Sequence, residues 1–402
     1  MAAACAAAIW AQKDSDRSVF DEIGGDLREL NQITGLKIHH SVPFDLISKD
    51  EVNKFLKGRV EEKSSQEDLR IEELGLKKFG FVPQDFDLKK SEVDLLTEQS
   101  AAFYDYHKKH LYIADWAPKD MRAEALVHEL AHALADQNFH LERFIKKSGD
   151  DDDGSMAREA VMEGQATWLM SEEMERRQGQ TLTGSPAAVE EMSRAMDSGG
   201  KDYPVFDATP LYIRRTLVFP YTKGMLFQNA LVEKLGKQAF REVFRNAPVS
   251  TQQILHPEKY FTHVAPAKPE LPRFSERGYK RLAWGTMGEL DHALLLEQYV
   301  DKKSAEEIAP HWRGGVYTLA ENKKEKRVVL EYAVEWDSAE WAGKYFEAYQ
   351  EVLRKKWRKI EVKTQNASTF SGLGDDGYFV VRLGGPVVKS LEGLRDAAVD
   401  SN

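Results

Sequence analysis

Two histidines four residues apart, His128 and His132, lie in a stretch whose apolar residues recur at helical spacing, and this pairing constrains the chain more than any other feature. Leu126, Leu130, Ala133 and Leu134 give the segment from about 120 to 138 a buried stripe, with Asp120 as the expected N-cap after Pro118. Residues i and i+4 share one helical face, their Cβ atoms ~5–6 Å apart. Two imidazoles so placed can both reach one metal ion at ~2.0–2.1 Å. Glu129 follows the first histidine, rotated off the ligand axis, where its carboxylate can take a proton from water on the metal without binding the ion itself. The spacing predicts a core helix built to hold a metal, with Zn2+ as the expected ion.

A catalytic zinc needs a third protein ligand and one open position. The metzincin pattern would place a third histidine six residues beyond His132 with a glycine before it, but those positions hold Asn138 and Ala135. Asp136 and His140 lie one and two turns after His132, and each turn of a straight helix carries a side chain about 5.4 Å further from the ion. Glu163 is the better candidate. It sits in Ala157–Thr167, read as a second helix starting near Ser155, beside the small residues Gly164 and Ala166. A glycine costs ~1 kcal/mol inside a helix, and close approach of the two helices would give it a reason. Glu159, one turn earlier on the same face, is the reserve ligand or a group that orients a histidine.

This combination resembles the gluzincins, the thermolysin-like zinc metallopeptidases. More narrowly, His128–Gln137 (HELAHALADQ), Glu163–Thr167 (EGQAT), Pro220–Gly224 (PYTKG) and His256–Tyr260 (HPEKY) resemble a little-characterised group of prokaryotic metallopeptidases. The resemblance spans roughly residues 18–275 and implies zinc bound by His128, His132 and Glu163, with Glu129 as general base. The separation between His132 and Glu163 is longer than in thermolysin, with an acidic loop between them.

An acyl-transfer site also needs a hydrogen-bond donor for the oxyanion, typically worth ~2.7–4 kcal/mol in barrier height. Tyr221 and His256 are the candidates. Tyr221 is expected at an element boundary before a helix beginning near Lys223, and His256 in a loop that Pro257 biases to extended geometry. Phe103–Tyr106 and His110–Ile113 read as a β-hairpin around a polar turn. Its outer edge could receive an extended peptide by strand addition.

The fold class expected is α+β: a mostly helical, zincin-like domain with a small sheet over 17–275, then a smaller α+β domain over 276–402. Helices are expected near 18–34, 49–61, 66–79 and 88–98, with an early strand around 36–42. In the tail, helices near 280–300 and 303–309 precede strands at 316–320 and 327–336, a helix over 338–357, strands near 360–364 and 377–383, and a last helix near 388–397. That order suggests a mostly antiparallel sheet.

A net charge of -10 argues against nucleic acid as a partner. The basic run Arg354–Lys359 reads as a solvated helix end, where cations meet the dipole favourably. Asp150–Asp153 reads as a flexible acidic loop without the ligand alternation of a calcium site. Residues 1–12 resemble the end of a secretory signal peptide and contain the lone Cys5, so a secreted or envelope location is expected. No run is apolar enough to span a membrane. The function expected is zinc-dependent hydrolysis of peptide or protein substrates. Its rivals are a catalytically silent zincin-fold binding module and a zinc hydrolase of other amide or ester bonds. An intact Glu129 argues against the first, and the hairpin edge favours peptide over the second.

Overall fold

The computed structural model describes residues 22–396 apart from 53, 55–57, 59–64, 100–101, 117, 150 and 199–203. The segment expected as a leader, with Cys5, the start of the first expected helix and most of 53–64 thus lie outside the described residues. Helix α1 covers 22–34 and a helical segment, α2, covers 49–52. There follow β1 (Phe44–Ile47, between α1 and α2 in the chain), α3 (Gln66–Phe79), α4 (Leu88–Gln99), β2 (Ala102–Asp105), β3 (His110–Ala114), α5 (Lys119–Phe139), α6 (Leu141–Lys146) and α7 (Asp152–Arg177). Next come α8 (Pro186–Ser198), α9 (Pro204–Ala208), α10 (Leu211–Leu235), α11 (Ala239–Arg245), α12 (Thr251–Leu255) and α13 (Pro257–Phe261). The last part holds β4 (Lys280–Thr286), α14 (Glu289–Tyr299), α15 (Lys302–Ile308), β5 (Trp312–Asn322), β6 (Arg327–Trp336), α16 (Ala339–Lys356), β7 (Glu361–Gln365), β8 (Thr369–Gly374), β9 (Gly377–Gly384) and β10 (Val387–Leu394).

The architecture is α+β with two sheets and two principal cores. In the first part, β2 and β3 form the expected hairpin and β1 joins β3 in parallel, giving the order β1-β3-β2. Helices α5, α7 and α10 build the main core beneath it, with Leu126, Leu130, Leu134, Val161, Trp168 and Phe227 buried. In the second part, seven antiparallel strands in the order β4-β5-β6-β10-β9-β8-β7 carry α16 on one face. The aromatic face of α16, Tyr345, Phe346 and Tyr349, packs against Tyr332 and Trp336 of β6. Among the described residues no helix is long and apolar enough to cross a membrane.

The second core does not begin cleanly at 276. Phe79 and Phe81, at and just beyond the end of α3, are buried in it, with Phe79 edge-on to Tyr317 and Tyr332. Helix α3 is well specified locally: Ser65 and Asp68 form a reciprocal capping box, and Gly80 closes the helix at φ 85°. The Gly80 carbonyl then accepts hydrogen bonds from Tyr299 and Gln298.

Several expected elements differ. The early strand lies at 44–47 rather than 36–42, because the chain pairs with β3 only from Pro43, whose carbonyl accepts from Leu111 N–H. Residues 280–286 are strand, paired with β5, and only 289–299 are helical. The helix expected at 388–397 is β10, inserted between β6 and β9. Its leucines mimic a helical stripe, but Val387 and Val388 after a Gly384–Gly385–Pro386 turn favour strand, and two neighbours with free edges decide the matter.

Candidate metal centre

Helix α5 starts at Lys119 with Pro118, not Asp120, in the capping position. It presents His128 and His132 on one face while Leu126, Leu130 and Leu134 are buried on others. Helix α7 starts three residues before the expected Ser155: Asp151 caps it by accepting from Gly154 N–H at 2.9 Å. The acidic run is therefore a helix start rather than a flexible loop, and Asp153 is buried. A mid-helix position on α7 then brings Glu163 to the histidines.

His128 Nε2, His132 Nε2 and Glu163 Oε2 form a near-equilateral triangle with edges of 3.1, 3.1 and 3.2 Å. Ligands about 2.0–2.1 Å from a tetrahedral ion would stand about 3.3 Å apart, so the triangle matches three corners of such a site. Three electron-pair donors facing one point repel one another unless a cation or protons occupy it. The charge balance shows the same demand: burial opposes a charged imidazole, yet Glu163, with Glu129 and Asp136, lifts His132 to about 9. Desolvation also opposes the charge on the half-buried Glu163, but the two imidazoles hold its carboxyl well below the usual range. His128, His132 and Glu163 could thus hold a metal ion. Glu159 is not in this group.

Glu129 faces the other way, toward the sheet. Its Oε2 accepts from the Tyr104 backbone N–H at 2.7 Å. Burial pushes its carboxyl up against the pull of both histidines, a balance suited to a group that gains and loses a proton. Strand β2 is held to α5 a second time through Asp136, which accepts from Tyr104 OH at 3.0 Å and Lys109 Nζ at 2.6 Å. Asp136 is occupied in this way rather than as a ligand. No local pattern announces Tyr104 or Lys109, because their roles exist only once the hairpin folds over α5.

Tyr221 reaches the site, but from the middle of α10 rather than from an element boundary. Pro220 sits inside that helix, removing the N–H that would bond the Thr216 carbonyl. The Tyr221 ring lies nearly parallel to His128 with centroids 5.9 Å apart, and the Glu163 charge acts on its phenol. The Glu163 charge, with that of Glu129, raises the phenol of this exposed side chain well above its ordinary value, so it remains a donor. His256 has different partners: its Nε2 pairs with Glu289 on α14 at 2.7 Å, and Nδ1 lies 3.7 Å from Glu258. None of its described contacts is with the metal triad.

The approach of α7 to α10 depends on glycine. A Cβ at Gly164 would lie 2.1 Å from the Gly224 carbonyl carbon, and one at Gly224 would lie 2.2 Å from the Ala160 carbonyl oxygen. The two helices meet backbone to backbone, which sets Tyr221 beside Glu163.

Comparison with protein families matched residues 277–401 to a domain of unknown function (DUF8575). This match covers the sheet-bearing C-terminal part and none of the three candidate ligands. No curated protein matched the chain, and neither did any solved structure.

Proposed function

We propose that the chain is a zinc metallopeptidase of the gluzincin type. The observation that carries this reading is the triangle of His128, His132 and Glu163, with the half-buried carboxylate of Glu129 next to His128 in the chain and the Tyr221 ring stacked on His128. The chemistry of two imidazoles and one carboxylate suits zinc, which when bound supplies a Lewis acid and a water acidified to a pKa of ~7.

The protein's own groups do the rest. Glu129, held against the edge strand β2 by the Tyr104 N–H, takes the proton of the attacking water and returns it to the leaving amine. Tyr221 donates its hydroxyl hydrogen to the developing oxyanion. Strand β2 is at the outer edge of its sheet, and the Tyr104 N–H that meets Glu129 points away from β3. An extended peptide laid along this edge would pass the general base, which favours a peptide over another amide or an ester.

Elemental analysis of zinc in the purified protein and its Glu163→Ala variant, both loaded and desalted, tests the site. About one zinc per chain in the wild type and much less in the variant is expected. Zinc in neither protein overturns the reading. Peptide-library cleavage by wild type but not by Glu129→Gln tests the activity.

A further inference from the structure

Helices α7 and α10, which carry Glu163 and Tyr221, both begin against the C-terminal part of the chain. Thr286 of β4 donates its hydroxyl to Asp151 at 2.7 Å and accepts from Asp153 N–H at 3.0 Å. Tyr317 of β5 donates to Asp152 at 3.0 Å. Asp153, only 3% exposed, accepts from the Thr251 hydroxyl at 2.5 Å and its N–H at 3.0 Å. That hydroxyl in turn accepts from Leu290 N–H of α14 at 3.3 Å. On α10, Tyr212 donates to Asp291 of α14 at 2.7 Å while its ring stacks on Phe81 at 3.9 Å, and Arg215 reaches Glu297 at 3.3 Å.

The C-terminal surface is cut to receive these groups. A Cβ at Gly285 would lie 2.3 Å from the Asp152 carboxylate, and one at Gly288 would lie 1.8 Å from that of Asp153. Asp153 is ten residues from Glu163 along one unbroken helix, about 15 Å. Anchoring the starts of two helices that are themselves locked at Gly164 and Gly224 fixes both axial position and rotation.

We infer that the C-terminal unit, residues 277–401, is a positioning clasp: through Thr286, Tyr317 and Asp291 it holds α7 and α10 so that Glu163 and Tyr221 meet the two histidines. Thr286, Tyr317 and Asp291 are positioning residues, remote from the reacting atoms. For its metal readout the inference rests on the zinc reading above; its second readout does not.

The test uses the full-length chain with Thr286→Val and Tyr317→Phe combined, which keep shape and remove the two hydroxyls, and Thr286→Ser as the conservative rescue. Zinc affinity is read by chelator competition and amide exchange by mass spectrometry. The double variant should bind zinc roughly tenfold more weakly, at the low end of what losing outer support costs a metal site. Exchange should rise several-fold around Glu163 and Tyr221, and Thr286→Ser should match wild type in both. Unchanged exchange beyond residues 151–154 would overturn the clasp whether or not zinc binds. Wild-type protein that takes no zinc would overturn the metal reading and leave exchange to decide the clasp. A variant that only melts earlier, with wild-type zinc affinity and exchange in the native state, would also overturn it, since that is what a merely structural contact does.

Discussion

Glu129 and Tyr221 flank the same triangle but should fail differently when altered. Glu129→Gln keeps the hydrogen bond from Tyr104 and the size of the side chain while removing the base. It is expected to retain zinc and lose peptide cleavage by roughly 10²–10⁴-fold, the usual worth of general acid–base assistance. Tyr221→Phe keeps the ring beside His128 and removes the donor. A drop of about 10²–10³ in kcat with little change in KM is expected, and unchanged kcat would exclude Tyr221 from the oxyanion role. His256→Asn should leave kcat alone. Its effect belongs to stability, about 1–3 kcal/mol in a urea titration, because the buried Glu289 loses its partner. The His128–His132 pair was legible from spacing, since two ligands on one helix need only local geometry. The amide of Tyr104 and the pairing of His256 with Glu289 were not legible, because both depend on segments far apart in the chain.

At the scale of elements, the contact of α7 with α10 sets the site. Gly164→Ala pits two effects against each other. Alanine is the better helix former by about 1 kcal/mol. Its methyl would meet backbone at 2.1 Å, an obstacle that cannot rotate away, and overpacking of that kind costs about 1–3 kcal/mol or more. Net destabilisation is therefore expected in thermal melts, together with weaker zinc binding as Glu163 is pushed from the histidines. A neutral or stabilising outcome would show that the helices part without cost. The small residues around Glu163 were expected to admit the histidine helix, α5, but Gly164 meets Gly224 of α10 instead, because the backbone contact is made on the other side of α7. The interior proline of α10 hid that helix: Pro220 looked like a boundary, and only packing on both sides keeps the helix continuous through it. In the tail, β10 shows the opposite failure, a strand whose leucine spacing imitated a helix until its two neighbours supplied hydrogen bonds.

For the whole molecule, the junction of the two parts gathers acids where α7 begins, with Asp151, Asp153 and Asp291 close together. Burial, with Asp291 and Asp151 nearby, raises the Asp153 carboxyl well above its ordinary 3.8, although the Thr251 hydroxyl and N–H pull it down. The folded chain thus holds this proton more tightly than the unfolded one. The stabilisation is complete below about pH 4 and is lost as pH climbs through the raised value. Asp153→Asn should flatten that part of the pH dependence of the urea midpoint while the acid-labile carboxylates elsewhere still titrate. An identical slope in both proteins would show that Asp153 does not titrate in this range.

Sequence alone determined which residues could bind a metal and that helices and antiparallel strands would share the chain. Those properties follow from residue type and short spacing, which the backbone imposes locally. Only the tertiary structure decided that Glu163 rather than Glu159 completes the triangle and that Tyr221 stands beside it while His256 faces Glu289. It alone decided that α3 contributes to the C-terminal core and that the C-terminal part meets the starts of α7 and α10. These depend on packing between segments distant in sequence, where backbone contact at two glycines and a few buried hydrogen bonds select one arrangement among many with the same local pattern.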